Sequence, residues 1–352
     1  MIDVSDKVYV FGAGTFGLEI AEILSKYGFT VLGIIDNFKT GKLGKWEIKH
    51  PREVDRSTLV ALGICNFAAD LKDISRSLDL LGFSKYLTPV QLFKFLSDKG
   101  LHKEHYWLTT EVEIYRENEK EIEQFRKLLF DQESKELLDA LISYRKFGEI
   151  ENLPDVSPIS HQYLPKDISI VPQPLHLVDC GAYFGEFIDY AKQRGFSLDT
   201  IYAFEPDPTN FKELVGRISK LPSCTKGFAY PLGVSDTTKQ VKFSADGSLG
   251  AAISDNGEVV VQVISLDQVL KNVPINYIKM DIEGAEFDAL VGCSRIIKEQ
   301  IPHLAISVYH KPKDIWEIGL WLNSLNLGYK LILRQYGHQC FDTVLYAFKE
   351  SV

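Results

Sequence analysis

Two glycine-rich turns, each set between an apolar run and an amphipathic run, constrain this chain more than any other feature. The first is Gly12-Ala13-Gly14-Thr15-Phe16-Gly17, between KVYVF and LEIAEILSKYGF. The second is Asp179-Cys180-Gly181-Ala182-Tyr183-Phe184-Gly185, between LHLV and EFIDYAKQRG. An apolar strand, a glycine turn and a one-faced helix open a βαβ unit, whose parallel sheet is covered on both sides. Two such openings in separate halves of the chain predict an α/β protein with two Rossmann-like units.

The strand–helix rhythm continues through TVLGIID, TLVALGIC and KDISRSLDLLGF and fades near Gly100, so residues 1–100 are read as a first, nucleotide-binding-like domain. Residues 101–165 carry EVEIYRENEKEIEQFRKLLF and ESKELLDALISYRKFG, charged helix formers without a strand signal, and are read as a helical connector or lid. Residues 166–352 restart the alternation with LHLVDC, TIYAFEPD, NYIKMDIEGAEF and HLAISVYH. YKLILRQYG and FDTVLYAFK then read as an antiparallel pair closing the sheet. From about 239 to 266 the pattern turns β-rich, with Gly and Asp-Asn-Gly turns that suggest hairpins inserted into the α/β frame.

Composition narrows the partners. With 39 Lys and Arg against 48 Asp and Glu the net charge is −9, the wrong sign for binding nucleic acid through its phosphates. Five scattered cysteines without a CxxC pair read as thiols of a reducing compartment. The N-terminus shows no signal-peptide pattern. The most apolar stretch, Leu59–Ala69, is about half the roughly 20 residues a membrane helix needs. The expected setting is cytoplasmic, without a membrane span; an oligomer is compatible with all of this.

In the first turn, Gly12, Gly14 and Gly17 form a full GxGxxG, which lets a phosphate approach a helix N-terminus. Asp36 closes the next strand, about 20 residues on, where an acid can meet a ribose. The competing reading is that these glycines only pack helix against strand. In the second half, acids stand at successive strand tips: Asp179, then Glu205 before Pro206, then Asp281. Two carboxylates on the carboxyl edge of a parallel sheet, one followed by glycines, mark a ligand site at a topological switch point, and Glu205 is placed to take a ribose diol. Asp281, Glu283 and Glu286 fall within six residues, and burying them together needs a cation, a ligand or Lys279. Glu283 and Glu286 also read as first-turn acids favoured by a helix dipole. His310, at the end of SVYH, is either a proton acceptor on the same edge or a structural, hydrogen-bonded histidine. The acids lack a companion His pair, so no metal is expected.

The segment from about 160 to 350 resembles the FkbM-type S-adenosylmethionine-dependent methyltransferases, through LVDCGAYFGEF, YAFEPDPTNF, LGVSD, IKMDIEGAEFDAL and SVYHKPKDIWEI in that order. FDQESKELLDALISYR and HQYLP look like the region preceding the core in a bacterial subset of that family. The resemblance implies a seven-stranded methyltransferase sheet with its last strand antiparallel. It implies that Asp179, Gly181 and Gly185, with Ala182 and Tyr183 in the same turn, surround the methionine part of S-adenosylmethionine. Glu205, beside Pro206, would hold the ribose; Val234, Ser235 and Asp236 would lie near the adenine; Asp281 would stand near the sulfonium and the acceptor. Cys180 is read as a small buried hydrophobe. Tyr163, with the helical segment, would cover the cofactor as a lid. The first 100 residues are similar to the nucleotide-sugar-binding subdomain of bacterial sugar O-acyltransferases, through VYVFGAGTFGLEIAEILSKYGFTVLGIIDN and HPREVD, without those enzymes' left-handed helix repeats.

The expectation is an O-methyltransferase acting on a hydroxyl of a sugar, or of a polysaccharide or secondary-metabolite precursor, with a small-molecule or sugar-linked acceptor such as a nucleotide sugar. Its product would be S-adenosylhomocysteine, and Asp281 or His310 would be the base. Two alternatives come from other classes: an NAD-dependent oxidoreductase using the first glycine turn, and a sugar-nucleotide-binding protein with a degenerate methyltransferase domain.

Overall fold

Strand β1 (Lys7–Phe11) and helix α1 (Thr15–Lys26) flank the first glycine turn, as the pattern requires. The computed structural model describes residues 6–101, 108, 112–167, 171–244, 252–253, 257 and 259–349. Two compact units divide the chain. The first comprises residues 1–119, 136–156 and 337–341, and the second 120–135, 157–336 and 342–352.

In the first unit, β2 (Thr30–Ile35), β3 (Gly41–Leu43), β4 (Trp46–Lys49), β5 (Leu59–Leu62) and β6 (Tyr86–Leu87) join β1 in a six-stranded sheet ordered β3-β4-β2-β1-β5-β6. Only the β3–β4 pair is antiparallel. Helix α1 buries Ile20, Ala21, Ile23 and Leu24, the face expected from its sequence spacing. Asp70 caps α2 (Leu71–Leu80) and a Thr88–Gln91 capping box starts α3 (Pro89–Asp98). Residues 112–147 contain α4 (Val112–Glu117), α5 (Glu119–Leu128) and α6 (Gln132–Phe147), as their charged helix formers lead one to expect, with residues 120–135 belonging to the second unit.

The second unit runs β7 (Leu175–Cys180), α7 (Glu186–Gln193), β8 (Leu198–Phe204), α8 (Pro208–Ile218) and β9 (Lys226–Tyr230). A small four-stranded sheet follows, of β10 (Gly233–Val234), β11 (Lys239–Ser244), β12 (Ala252–Ile253) and β13 (Val259–Ile264). It is the inserted hairpin expected near 239–266: β11 and β13 pair antiparallel from Lys239↔Val263 to Phe243↔Val259. The turns expected between them fall largely on residues 245–251 and 254–256, outside the described residues. After α9 (Leu266–Val269) come β14 (Tyr277–Met280), α10 (Glu286–Val291), α11 (Ser294–Gln300), β15 (His303–Ser307), α12 (Asp314–Ser324), β16 (Lys330–Gln335) and β17 (Thr343–Phe348).

The large sheet has seven strands in the order β16-β17-β15-β14-β7-β8-β9. β17 runs antiparallel to both its neighbours, while the β15-β14-β7-β8-β9 run is parallel throughout. The chain leaves β7 toward β8 on one side and returns as β14 on the other. The switch point therefore lies between β7 and β14, and an open parallel sheet forms its ligand crevice outside the carboxyl ends of the strands at such a point. Register aligns Cys180 with both Met280 and Phe204, and Met280 with Ile306. Gly181, Glu205, Asp281 and Ser307 thus end neighbouring strands in one row. Among the described residues, no helix is long and apolar enough to cross a membrane.

Candidate active site

The second glycine turn has to pass directly over the tip of β14. Gly181 has φ +72°, and a Cβ there would come within 1.9 Å of the Asp281 carbonyl oxygen, so only glycine fits. Beneath the turn, Lys279 and Asp179 are paired at 3.1 Å, with side chains 6% and 0% exposed. Lys279 also donates to the Gly181 carbonyl at 2.6 Å. Against the desolvation of a buried amine, the Asp179 and Asp281 carboxylates hold Lys279 above its ordinary value. This pair resolves part of the charge problem posed by three neighbouring acids. It also turns Asp179 inward, to Lys279.

Glu205 ends β8 with its carboxylate fixed from two sides: Tyr183 N donates to Oε2 at 2.8 Å and Asp207 N to Oε1 at 2.9 Å. Burial pushes it above the usual carboxylate range, with the two N–H bonds opposing. Asp207 in turn caps α8 by accepting from Thr209 N and Asn210 N. Tyr163, Tyr183 and Glu283 all hold positive φ without being glycine, a concentration of backbone strain typical of functional sites.

These tips border a cavity with about 710 Å³ of empty space, part of it open to solvent. Of the residues expected from sequence, Gly181, Tyr183, Glu205, Pro206, Val234 and Asp281 line it. Asp179, Ala182, Gly185, Ser235, Asp236, Tyr163 and His310 are not on its wall. Ala182 is buried in the turn and Gly185 begins α7 with φ +85°. Ser235 is buried and donates to Asp236 at 3.0 Å. Sequence reasoning missed Asn210, Phe243, Val261 and Val263, which also line it. The alternation of Val261, Gln262 and Val263 in β13 carried a signal for an apolar face, but not for what it faces.

Tyr163 lies under the site. Its hydroxyl donates to Asp281 Oδ2 at 2.7 Å and stands 3.3 Å from Ser307 Oγ. Tyr346 OH receives its N–H, Tyr277 OH donates to its carbonyl, and its neighbour Gln162 reaches Asp342 at 3.3 Å. Burial would raise Asp281, but Lys279, His310 and the Tyr163 hydroxyl outweigh it and keep the carboxyl below its ordinary value. Burial, with the Asp281 charge, pushes Asp342 up to about 7. His310 is only 4% exposed and lies among three acids: Nδ1 is 2.9 Å from Glu286 Oε1, and Nε2 is 3.4 Å from Glu283 Oε2 and 3.6 Å from Asp281 Oδ1. Burial would lower the imidazole, yet Glu286 and Glu283 raise it well above its ordinary value. Glu286 is fully buried and accepts from Ile282 N at 2.8 Å. It acts on the start of α10 and on His310 together, so the helix-dipole reading describes only part of its role.

The first unit's glycine turn is built differently. Asp36 accepts from Ala13 N at 2.8 Å, Phe38 N at 2.9 Å and Lys39 N at 3.0 Å, and Lys39 Nζ donates to Ala13 O. Oδ2 thus holds the glycine turn, and Oδ1 holds the bend that follows Asp36 itself. Gly12 and Gly17 touch each other closely, a Cβ on Gly17 falling 1.9 Å from Gly12 O, whereas Gly14 has open space around it.

Comparison with known proteins bears on the second unit. Residues 179–338 match the family model described as the methyltransferase FkbM domain. This stretch of the second half is similar to FkbM-type methyltransferase domains. The matched stretch contains Glu205, Asp281 and His310. The chain is 30% identical over 154 residues to Methyltransferase 1 of Beauveria bassiana, which covers 36% of this chain and 61% of that protein. It is 23% identical over 128 residues to the hexuronic acid methyltransferase AglP of Haloferax volcanii, 34% of this chain and 52% of that protein. The chain thus spans about three-fifths and half of the lengths of these relatives. A crystal structure of a methyltransferase FkbM from Methylobacillus flagellatus KT superposes with a TM-score of 0.81 at 22% identity, covering 98% of this chain and 90% of that one. At that identity the likeness is one of fold.

Proposed function

We propose that the protein is an S-adenosylmethionine-dependent O-methyltransferase acting on a hydroxyl of a sugar or of a polysaccharide or secondary-metabolite precursor. The observation that carries the reading is Glu205, held by two backbone N–H groups at the edge of the cavity with Gly181 and Tyr183 beside it. The residues present fit the cofactor. Glu205 offers fixed acceptors to a ribose diol, the turn of Gly181 and Tyr183 borders the space for the methionine part, and Val234, Phe243, Val261 and Val263 give apolar walls for an adenine. Asn210 adds a buried amide oxygen without a hydrogen-bond partner, suited to an exocyclic amine.

When bound, the cofactor supplies a methyl group already activated on a sulfonium. The chain's own work is then to orient the acceptor oxygen, exclude water and remove a proton. Asp281 is the better placed of the two expected acceptors. It lines the cavity with its side chain 26% exposed, whereas His310 is 4% exposed behind it. Tyr163 orients Asp281 from below, so its role is positioning rather than that of a mobile lid.

The acceptor class is supported by the sugar-directed relative in Haloferax volcanii, whose name concerns a hexuronic acid. For the first unit we keep the reading of a sugar-nucleotide-holding domain, with the phosphate end at the open face of Gly14 and Asp36 acting only through the turn. A cytoplasmic setting agrees with cysteines none of which forms a disulfide. Calorimetric titration with S-adenosylhomocysteine, with NAD and with a panel of nucleotide sugars tests the reading. Binding of S-adenosylhomocysteine that depends on Glu205 supports it; binding of NAD or of sugar nucleotides alone replaces it with one of the other two classes.

A further inference from the structure

The acids behind Asp281 are more than the methyl-transfer reading needs, and their arrangement has its own logic. One donor atom each from Asp281, Glu286 and His310 lies within 4.8 Å of the other two. Donors around a common ion at ~2.1 Å stand up to ~4.2 Å apart, so sub-ångström side-chain shifts close the three into a coordination shell. His310 is ion-paired, its ring nitrogens 2.9 Å from Glu286 Oε1 and 3.4 Å from Glu283 Oε2, while Glu286 Oε2 is buried without a hydrogen-bond partner. These are buried groups: the His310 side chain is 4% exposed and that of Glu286 0%. An unsatisfied polar atom in such a place asks for a ligand.

We propose that Asp281, Glu286 and His310 bind one divalent transition-metal cation beside the cavity of the second unit. The donor set favours this class: two carboxylates with an imidazole suit Mn²⁺, Fe²⁺ or Zn²⁺, whereas Mg²⁺ and Ca²⁺ prefer oxygen alone. The other oxygens of the two carboxylates are already held. Asp281 Oδ2 takes the Tyr163 hydroxyl, and Glu286 Oε1 takes Ile282 N. Such outer hydrogen bonds orient metal ligands. Glu283, 3.4 Å from Nε2, adds a third negative charge on the same side. The expectation of a metal-free site rests on spacing along the chain, where no second His accompanies the acids. The fold brings His310 from the end of β15 to residues at the end of β14, which sequence spacing does not show. For its chemistry the inference rests on the methyl-transfer reading, since an acceptor hydroxyl bound to such a cation is a stronger acid. The binding itself does not depend on it.

The test uses the full chain, stripped with a chelator and dialysed, with Mn²⁺ titrated in and free Mn²⁺ read by electron paramagnetic resonance. The expected result is one bound Mn²⁺ per chain, with affinity lowered at least ~10-fold in Asp281→Asn and in His310→Gln. Circular dichroism checks that each variant is folded. Asp281→Asn is nearly isosteric and partly exposed, so it carries the test if His310→Gln does not fold. Wild-type protein that leaves all Mn²⁺ free, or Asp281→Asn that binds as wild type does, overturns the proposal. S-adenosylhomocysteine is titrated calorimetrically into the same metal-free sample. Cofactor binding without Mn²⁺ binding removes only the metal site, and Mn²⁺ binding without cofactor binding removes only the methyl-transfer reading.

Discussion

Lys279 and Asp179 face each other in register across β14 and β7, 3.1 Å apart and shut away from solvent. A buried pair of this kind is costly to break from one side, because the remaining charge has no partner. Lys279→Met is expected to destabilise the second unit by ~3–5 kcal/mol. Adding Asp179→Asn should restore much of the loss. Thermal and urea denaturation of the single and double variants measure this. A single variant no less stable than the double would mean the pair is solvated.

Tyr163 sets Asp281 without lining the cavity. Tyr163→Phe removes one hydrogen bond to a carboxylate, and bonds to charged groups are worth about 1.5–3 kcal/mol. The expected outcome is a fall in kcat of about tenfold or more, with affinity for S-adenosylhomocysteine changed less than about twofold. Equal losses in both would place Tyr163 against the cofactor instead.

Arg334 ties strand β16 to the start of α6 through Asp131, at 2.7 Å, and it also pairs with Asp167. Burial would raise Asp131, but the Arg334 guanidinium and Ser134 outweigh it and hold the carboxyl below its ordinary value. A carboxyl lowered in the folded state gives stability that is present above its unfolded pKa, near 4. That stability is lost as pH falls through the lower, folded value. Asp131→Asn should therefore reduce stability at pH 7 and flatten the acid side of the stability curve. Melting temperatures of both proteins from pH 7 to pH 3 show whether the two curves converge.

The parts of this molecule that depend on neighbours in sequence were legible in it. Gly181, Glu205 and Asp281 each end an apolar run, and a parallel sheet brings such ends into one row whatever the details of packing. The closing pair β16–β17 and the inserted β11–β13 hairpin were readable for the same reason. What depends on three-dimensional register was not. Phe243 and Val261 reach the cavity from an inserted sheet, and His310 joins Glu286 only because β14 and β15 are neighbours. Asp36 shows the opposite limit. Its position after the GxGxxG turn is where a ribose ligand is expected, and there it also accepts from Ala13 in that turn and from Phe38 and Lys39 in the bend that follows it.

Glu205 is proposed to hold the ribose of S-adenosylmethionine, and calorimetric titration of S-adenosylhomocysteine into the wild-type chain and Glu205→Ala tests this most directly. One site per chain is expected in the wild type. Glu205→Ala is expected to weaken binding by roughly 10- to 100-fold, the loss of hydrogen bonds to a charged acceptor. Absence of binding to the wild type, or unchanged affinity in the variant, would contradict it.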